Sequence, residues 1–243
     1  MAELAALWIV RHGESTANVA ATTAEAAGAE LIALNHRDPD VPLSPTGEEQ
    51  AGATGRWLAG LPRERRPDVA VTSPYLRAVR TAELALAGTG IELSRDERLR
   101  DRELGILDGL TEHGVARRFP EETQRRARLG KFYYRPPGGE SWTDVALRLR
   151  TLLADLRRDH AGGRVLLFGH DALVFVLRYL VEGLAEADLM ALTRQHSIAN
   201  CSVTSWSADA DGRLRPDSFN DVRHLRQQGA RPTREDEVDA EPV

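Results

Sequence analysis

Short apolar runs alternate with longer amphipathic segments along this chain, and that alternation restricts its fold more than any other feature. Between the runs, apolar residues recur at three- and four-residue spacing, as over positions 145–156, and this spacing predicts helices. The alternation is typical of an α/β protein with a largely parallel sheet. The predicted strands are Leu7–Val10, Val69–Thr72, Val165–Phe168 and Cys201–Trp206, with a weaker one at Ile91–Leu93.

Three helix starts are marked by short local signals. Ser44-Pro45 and Ser73-Pro74 each place an N-cap serine before a proline that suits the first helical position. The run Ser141–Asp144 has the pattern of a capping box. We therefore expect helices to begin at these three points.

The length of 243 residues and 42% hydrophobic content favour one domain with a sizeable core, which we predict over residues 1–226. Residues 227–243 are polar and acidic without apolar periodicity, and they are predicted to form a disordered tail. The segment Thr22–Pro42 is a long connection between predicted elements. Long connections in compact domains are often functional, and covering a site is one such role.

Charge and cysteine content exclude several classes of protein. The net charge of -5 argues against sequence-independent binding of nucleic acid. The single cysteine, Cys201, excludes an internal disulfide framework and leaves no zinc-ligand cluster, so a reduced cytoplasm is expected. Residues 1–10 lack the features of a signal peptide. The apolar stretch Ala172–Leu184 is interrupted by Arg178 and Glu182 and is too short to span a bilayer, so no membrane segment is predicted.

Basic side chains follow three of the predicted strands. The first strand runs into Arg11-His12-Gly13-Glu14, a later strand reaches His170, and Arg77 follows the strand at 69–72. Open α/β sheets bind ligands at the carboxyl ends of their strands, so these residues are expected at one rim. Gly13 would let the backbone approach a ligand closely, and the start of the next helix would present N–H groups suited to an anion.

Six blocks of the chain match one known family in its residues and in their order. They are Arg11–Ser15 with Asn18, Pro42–Gly47 with Gln50 and Ala51, Ser73–Arg77 with Arg80–Ala82, Gly138–Ser141, Gly169–His170, and Asn200. By these blocks the chain resembles the histidine phosphatase superfamily, also called phosphoglycerate mutase-like, in the branch with the Arg-His-Gly-Glu signature. The resemblance implies a three-layer α/β fold whose mostly parallel, mixed sheet carries helices on both faces. It also implies a reaction that passes through a phosphohistidine.

The resemblance gives each basic residue a task that agrees with its chemistry. Neutral His12 would attack phosphorus, because a covalent intermediate divides one difficult displacement into two easier ones. Arg11 and Arg77 would hold the phosphoryl oxygens, and His170 would be a further donor. Such a site requires no metal and no other cofactor.

The proton donor is where the chain departs from the family. Many relatives carry glutamate at the position of Asp101, and aspartate is one methylene shorter. Asp101 remains our first choice for the general acid. Glu103 is a neighbouring alternative, and Asp171 is another, because the pair it forms with His170 resembles that of the superfamily's acid phosphatase branch.

Gly13, Asn18 and Asp171 are the predicted substrate-binding residues, although Asn18 suits a local helix cap equally well. Specificity is assigned to the insert Thr111–Pro137. Its run Lys131–Arg135 combines aromatic and basic side chains that would suit an anionic or ring-bearing substrate, and a packed surface loop is the alternative.

The predicted activity is hydrolysis of phosphomonoesters, with a small phosphorylated molecule as substrate. The alternatives are a cofactor-dependent phosphoglycerate mutase-type phosphotransferase and a protein that binds phosphorylated ligands without turnover. The sequence leaves the physiological substrate and the oligomeric state open, a homodimer included.

Overall fold

A six-stranded mixed sheet forms the centre of the computed structural model, which describes residues 3–234. Its spatial order is β3-β2-β4-β1-β5-β6. The first four strands run parallel, whereas β5 is antiparallel to β1 and β6 is antiparallel to β5. The strands are β1 (Ala6–Arg11), β2 (Val69–Thr72), β3 (Glu92–Arg95), β4 (Arg164–Gly169), β5 (Val203–Ala208) and β6 (Leu214–Asp221).

Helices connect the strands, and four short 3₁₀ turns lie in the connections between the described elements. The α-helices are α1 (Thr16–Ala26), α2 (Pro45–Gly60), α3 (Leu76–Leu86), α4 (Glu112–Arg118), α5 (Pro120–Leu129), α6 (Trp142–Asp159), α7 (Asp171–Glu182), α8 (Glu186–Gln195) and α9 (Arg223–Gln227). The 3₁₀ turns are Asp38–Asp40, Arg63–Arg65, Glu97–Leu99 and Gly105–Leu107. None of these helices is long and apolar enough to cross a membrane.

Strand β4 shows why the fold has three layers. Successive side chains of a strand point to opposite faces, and all four apolar residues of β4 are buried. Val165 and Leu167 belong to one apolar core, with side chains of α6 and α7. Leu166 and Phe168 belong to a second core, with side chains of α2 and α3. Helices therefore cover both faces, as expected.

The register of the parallel strands fixes where the site lies. Arg11 at the end of β1 pairs with Gly169 at the end of β4, and Thr72 at the end of β2 pairs with Phe168. The residues that follow these three strands therefore start from one edge of the sheet, which confirms the predicted rim.

Two of the predicted helix starts are confirmed. The hydroxyl of Ser44 accepts a hydrogen bond from Gly47 N, and α2 begins with proline. Ser141 and Asp144 form both bonds of a capping box at the start of α6. In each case a side chain satisfies backbone N–H groups that the first helical turn leaves without partners.

The third predicted start is wrong. Helix α3 begins at Leu76 with Tyr75 as its N-cap, two residues later than Ser73-Pro74 indicates. Ser73 instead accepts a hydrogen bond from Tyr75 N, and its hydroxyl faces His170. Arg77 is consequently the second residue of α3 rather than a full turn inside it.

Three further differences concern segment boundaries. Strand β6 was not predicted, because it is a polar edge strand that contains Pro216. The connection predicted from Thr22 is shorter, since α1 continues to Ala26. The predicted tail begins inside α9, which ends at Gln227, and the amide of Gln50 donates to Arg231 O within it. Residues 235–243 lie outside the described part of the chain.

Candidate active site

Four basic side chains meet at the carboxyl edge of the sheet, and all four are buried. Their exposed fractions are 3% for Arg11, 3% for His12, 4% for Arg77 and 0% for His170. Burying charged groups costs free energy unless they are paired, so such a cluster is rarely a matter of packing alone. The structure thus brings together the four residues that the sequence singled out.

The hydrogen bonds of His12 fix its tautomer. Its Nδ1 lies 2.7 Å from the carbonyl oxygen of Gly13, which can only accept, so Nδ1 carries the proton. The lone pair is then on Nε2, which accepts from Nε of Arg77 at 3.3 Å. Burial lowers the pKa of His12 well below its usual value, and the charges of Arg77, His170 and Arg11 lower it further. His12 is therefore neutral.

Arg77 makes contacts through all three of its guanidinium nitrogens. Besides Nε, which faces His12, Nη2 donates to Oδ2 of Asp101 at 2.9 Å. Nη1 donates to the carbonyl oxygen of Asp38 at 2.7 Å and to its Oδ1 at 2.9 Å. Asp38 was not a predicted site residue, although the connection that carries it was considered as a cover.

His170 packs beside His12, with ring centroids 5.2 Å apart. Its Nε2 lies 2.8 Å from the hydroxyl oxygen of Ser73, and its Nδ1 lies 3.1 Å from Oδ2 of Asp101. Among the described residues, Nδ1 has no partner with good hydrogen-bond geometry. Burial lowers the pKa of His170, and the nearby Asp101 carboxylate opposes that shift. A buried ring nitrogen in this position suits an incoming anion.

Asp101 is ionised in the free protein. Burial alone would raise its pKa, but the neighbouring His170, Arg77 and His12 outweigh burial and hold the pKa well below its usual value. Its second oxygen, Oδ1, accepts from the backbone N–H of Arg102 at 2.8 Å. The structure therefore places Asp101 inside the cluster, as predicted, but as a carboxylate.

The loop that carries Asp101 is held by an ion pair between Arg148 and Glu140, which no sequence pattern indicates. Arg148 donates to the carbonyl oxygens of Arg98 at 2.5 Å and Asp101 at 3.1 Å. Glu140 accepts from Nε of Arg148 at 3.0 Å, and it also accepts from the backbone N–H of Glu103 at 3.2 Å. Glu140 lies in one of the matched blocks, but no pattern in the sequence indicated its partners.

Arg11 and Asn200 border His12 on the other side. Nη1 of Arg11 donates to the carbonyl oxygen of Ile198. Nδ2 of Asn200 donates to the carbonyl oxygen of His12 and to Oδ1 of Asn18, at 3.2 Å in both cases. Asn200 therefore links the segment before β5 to the backbone of the candidate nucleophile.

Asn18 forms a local helix cap, which was the alternative to a role in substrate binding. Its Oδ1 accepts from the backbone N–H of Ser15, and its own N–H donates to the Ser15 hydroxyl. These two bonds complete a capping box at the start of α1. The same oxygen accepts from Asn200, so Asn18 is tied to the site even though its cap is local.

Gly13 approaches another backbone segment rather than open space. A Cβ at Gly13 would lie 2.5 Å from the carbonyl oxygen of Gly47, and a Cβ at Gly47 would lie 2.0 Å from the carbonyl oxygen of Glu14. The N–H of Gly13 donates to the hydroxyl of Thr81. The backbone of Gly13 thus closely approaches Gly47 at the start of α2 rather than a ligand. The N–H of Gly13 already has an acceptor within the protein.

A cavity of about 780 Å³ opens next to the cluster. All three candidate proton donors, Asp101, Glu103 and Asp171, line it. Asp171 accepts from the N–H of Ala172 at 2.6 Å, and Glu103 accepts from the Tyr75 hydroxyl at 2.8 Å. Their places on this cavity keep all three carboxylates as candidates.

The predicted specificity insert supplies part of the same cavity. Glu112, Arg126 and Lys131 line it, and so does Arg102 from the loop of Asp101. Of the aromatic and basic run at 131–135, Lys131 alone is among the lining residues. Arg102 lies close enough to Arg126 for the two charges to repel, and burial together with that repulsion lowers the pKa of Arg102.

Within residues 3–234, no group of three or more His, Cys, Asp or Glu side chains is arranged to hold a metal ion. The positive charge near His12 comes from Arg11 and Arg77. What the cluster offers chemically is a neutral imidazole, whose Nε2 lone pair faces Arg77, beside a cavity for a larger group. That arrangement suits attack on the phosphorus of a bound anion.

Comparison with known proteins agrees with this chemistry. The family model described as "Histidine phosphatase superfamily (branch 1)" matches residues 7–221. A 2,3-bisphosphoglycerate-dependent phosphoglycerate mutase from Methylobacterium radiotolerans is 35% identical over 189 residues, covering 75% of this chain and 82% of that protein.

Two solved mycobacterial structures are similar over most of the chain. A glucosyl-3-phosphoglycerate phosphatase in complex with VO3 has a TM-score of 0.71 and 29% identity, and the match covers 90% of this chain and 100% of the other. A protein called mycobacterial hydrolase 1 has a TM-score of 0.70 and 30% identity, with 91% and 100% coverage.

Proposed function

We propose that this chain, which belongs to the histidine phosphatase superfamily, hydrolyses phosphomonoesters through a phosphohistidine formed on His12. The chain is an enzyme, and the question is which reaction its site performs. The observation that carries the proposal is the state of His12, a buried neutral imidazole whose Nε2 lone pair faces Arg77.

As the ester binds, Nε of Arg77 gives up its bond to His12 and donates to a phosphoryl oxygen. The released lone pair on Nε2 of His12 then attacks phosphorus, and the bond from phosphorus to the alcohol oxygen breaks. Arg11 adds the second positive charge, and Nδ1 of His170 adds a donor. Fixed donors of this kind stabilise the charge that develops in phosphoryl transfer.

The departing alcohol oxygen needs a proton, and Asp101 is the residue that we propose supplies it. Asp101 is ionised in the free protein. A phosphate dianion next to this carboxylate would raise its pKa, so the proton would be taken up as substrate binds. In the second step a water attacks the phosphohistidine, its proton goes to the same carboxylate, and His12 is regenerated. Glu103 and Asp171 remain the alternatives for both tasks.

Two observations support a hydrolase acting on a small phosphorylated substrate. The site is buried, and its cavity of about 780 Å³ has the size of a small-molecule pocket. A similar structure is a glucosyl-3-phosphoglycerate phosphatase. The mutase alternative is supported by a relative that is named a 2,3-bisphosphoglycerate-dependent phosphoglycerate mutase. The site is compatible with either reaction, because both use the same kind of nucleophile.

The proposal is tested by measuring phosphate release from a panel of monoesters that includes 3-phosphoglycerate, sugar phosphates and an aryl phosphate. We expect wild type and the control His196→Ala, an exposed histidine after α8, to release phosphate and to form an acid-labile phosphoenzyme. His12→Ala should do neither. Hydrolysis that survives in His12→Ala would exclude the mechanism, and transfer to a second hydroxyl without free phosphate would identify a mutase.

A further inference from the structure

Asp38 holds one amino group of Arg77 with two acceptors. It lies in a 3₁₀ turn of the connection between α1 and α2, and both its carbonyl oxygen and its Oδ1 accept from Nη1. The Arg77 side chain is 5% exposed and the Asp38 side chain 33% exposed. The carboxylate therefore reaches a buried cation from the partly open side of the site.

This contact removes donors that a phosphoryl group would otherwise use. A guanidinium has five N–H groups, and Nη1 supplies two of them. Both have acceptors on Asp38, at 2.7 and 2.9 Å. Nε donates to His12, and one of the two N–H groups of Nη2 donates to Asp101, so four of the five have acceptors. A phosphoryl group that takes two hydrogen bonds from Arg77 must therefore displace an acceptor of the protein itself.

The charges lead to the same conclusion. With both histidines neutral, the charged groups in contact around the site are the cations Arg11 and Arg77 and the anions Asp38 and Asp101. Both carboxylates pair with Arg77, so its single positive charge is already matched within the protein. A phosphate dianion that binds Arg77 would therefore lie close to the Asp38 carboxylate, which repels it.

Asp38 also lines the large cavity in which the alcohol part of an ester would lie. An ester can compensate for the loss of the contact between Asp38 and Arg77 through its other contacts in the cavity. Inorganic phosphate has no such part.

We propose that Asp38 competes with the phosphoryl group for Arg77 and so weakens the binding of free phosphate relative to that of phosphate esters. The preference for esters rests on the proposed hydrolase function, whereas the competition for Arg77 does not. In a hydrolase, this competition would favour release of the inorganic phosphate product.

The test measures binding of inorganic phosphate to the full chain by calorimetry. Asp38→Asn removes the charge, and Asp38→Ala removes the side-chain acceptor as well. We expect phosphate to bind about tenfold tighter to both variants, which is the order of one charge-assisted hydrogen bond. Asp40→Asn is the matched control, because Asp40 lies in the same turn but pairs with exposed Arg37. It should bind phosphate like wild type.

Unchanged or weaker phosphate binding in the Asp38 variants would overturn the proposal, because Asp38 would then merely support Arg77. With an ester from the panel, the KM should fall less than the dissociation constant for phosphate. A KM that rises while phosphate binding is unchanged would mean that Asp38 binds the ester directly, which also contradicts the proposal. Tighter phosphate binding in a protein that hydrolyses no ester would leave the competition standing and remove the hydrolase function.

Discussion

Nε of Arg77 lies 3.3 Å from Nε2 of His12, so a cation caps the very nitrogen that we propose as the nucleophile. The contact stabilises the neutral imidazole, since a protonated Nε2 would face a positive charge. It also keeps the lone pair directed toward the place where a phosphoryl group would bind. One side chain thereby prepares the nucleophile and later binds its target.

The first prediction concerns the protonation of His12. Because burial and then the Arg77 charge lower its pKa, His12 should stay neutral as the pH falls through 6.5 and should take up a proton only well below that value. Arg77→Gln removes the nearest cation and should raise this pKa. The imidazole resonances in an NMR titration report it directly. Arg80→Gln, one turn further along α3 at the surface, should leave the titration unchanged. A wild-type midpoint near 6.5 would contradict the neutral nucleophile.

Much of this site was predictable because it follows from strand ends. His12 and His170 lie at the ends of two neighbouring parallel strands, and Arg77 follows the next one. The apolar runs predict the strands, and the parallel arrangement brings their carboxyl ends together. The matched blocks then gave these residues an order that one family shares.

The contacts made by loops were not predictable in the same way. Asp38 and Ser73 reach their partners across 39 and 97 positions of sequence, and neither lies in a periodic pattern. Ser73-Pro74 has the local appearance of a helix start, but the serine hydroxyl instead faces the ring of His170. Thr233 lies in the predicted tail, and its hydroxyl donates to Oδ1 of Asn200. Local sequence composition does not indicate which distant residues will be partners.

The second prediction tests the proton donor. Asp101→Asn should slow esters with poor alkyl leaving groups by about 100-fold or more, because general acid catalysis typically contributes that much. An activated aryl ester should be slowed much less, since its oxygen departs without a proton. The measurement is kcat for both ester classes in each variant.

Asp171→Asn and Glu103→Gln serve as the matched variants, because both residues line the same cavity. The leaving-group effect should be absent in them. If Asp101→Asn lowered kcat equally for both ester classes, Asp101 would not be the proton donor. A loss of kcat confined to alkyl esters in Asp171→Asn or Glu103→Gln would identify that residue as the donor instead.

The third prediction concerns the close approach of two glycines. Gly47→Ala places a Cβ 2.0 Å from the carbonyl oxygen of Glu14, two residues after His12, so the backbone of the site must shift. We expect a loss of about 3 kcal/mol in the free energy of unfolding, at the upper end for overpacking, together with a large loss of kcat. Denaturant unfolding and ester hydrolysis measure the two effects.

Gly52→Ala in the same helix is the control for this substitution. Its Cβ would meet its nearest neighbour, Nη1 of Arg56, at an ordinary distance of 3.6 Å. Alanine in a helix interior is favoured over glycine by about 0.5–1 kcal/mol, so this variant should be slightly more stable and fully active. Similar behaviour of the two variants would mean that the approach of Gly47 to Glu14 does not constrain the site.

The fourth prediction links stability to pH through His224, which packs against Trp57 and lies 3.3 Å from the hydroxyl of Thr54. Burial lowers its pKa to about 4, from an unfolded value near 6.5. The unfolded chain therefore binds the proton more readily, so the contribution of neutral His224 is complete above pH 6.5 and is lost as the pH falls toward 4. The loss is at most about 3 kcal/mol at one pKa unit per 1.36 kcal/mol.

His224→Phe keeps a ring against Trp57 but cannot titrate, so its free energy of unfolding should fall less than that of wild type between pH 7 and pH 4. Denaturant unfolding at a series of pH values measures the difference, and parallel curves for the two proteins would show that His224 does not enter the core as a neutral ring.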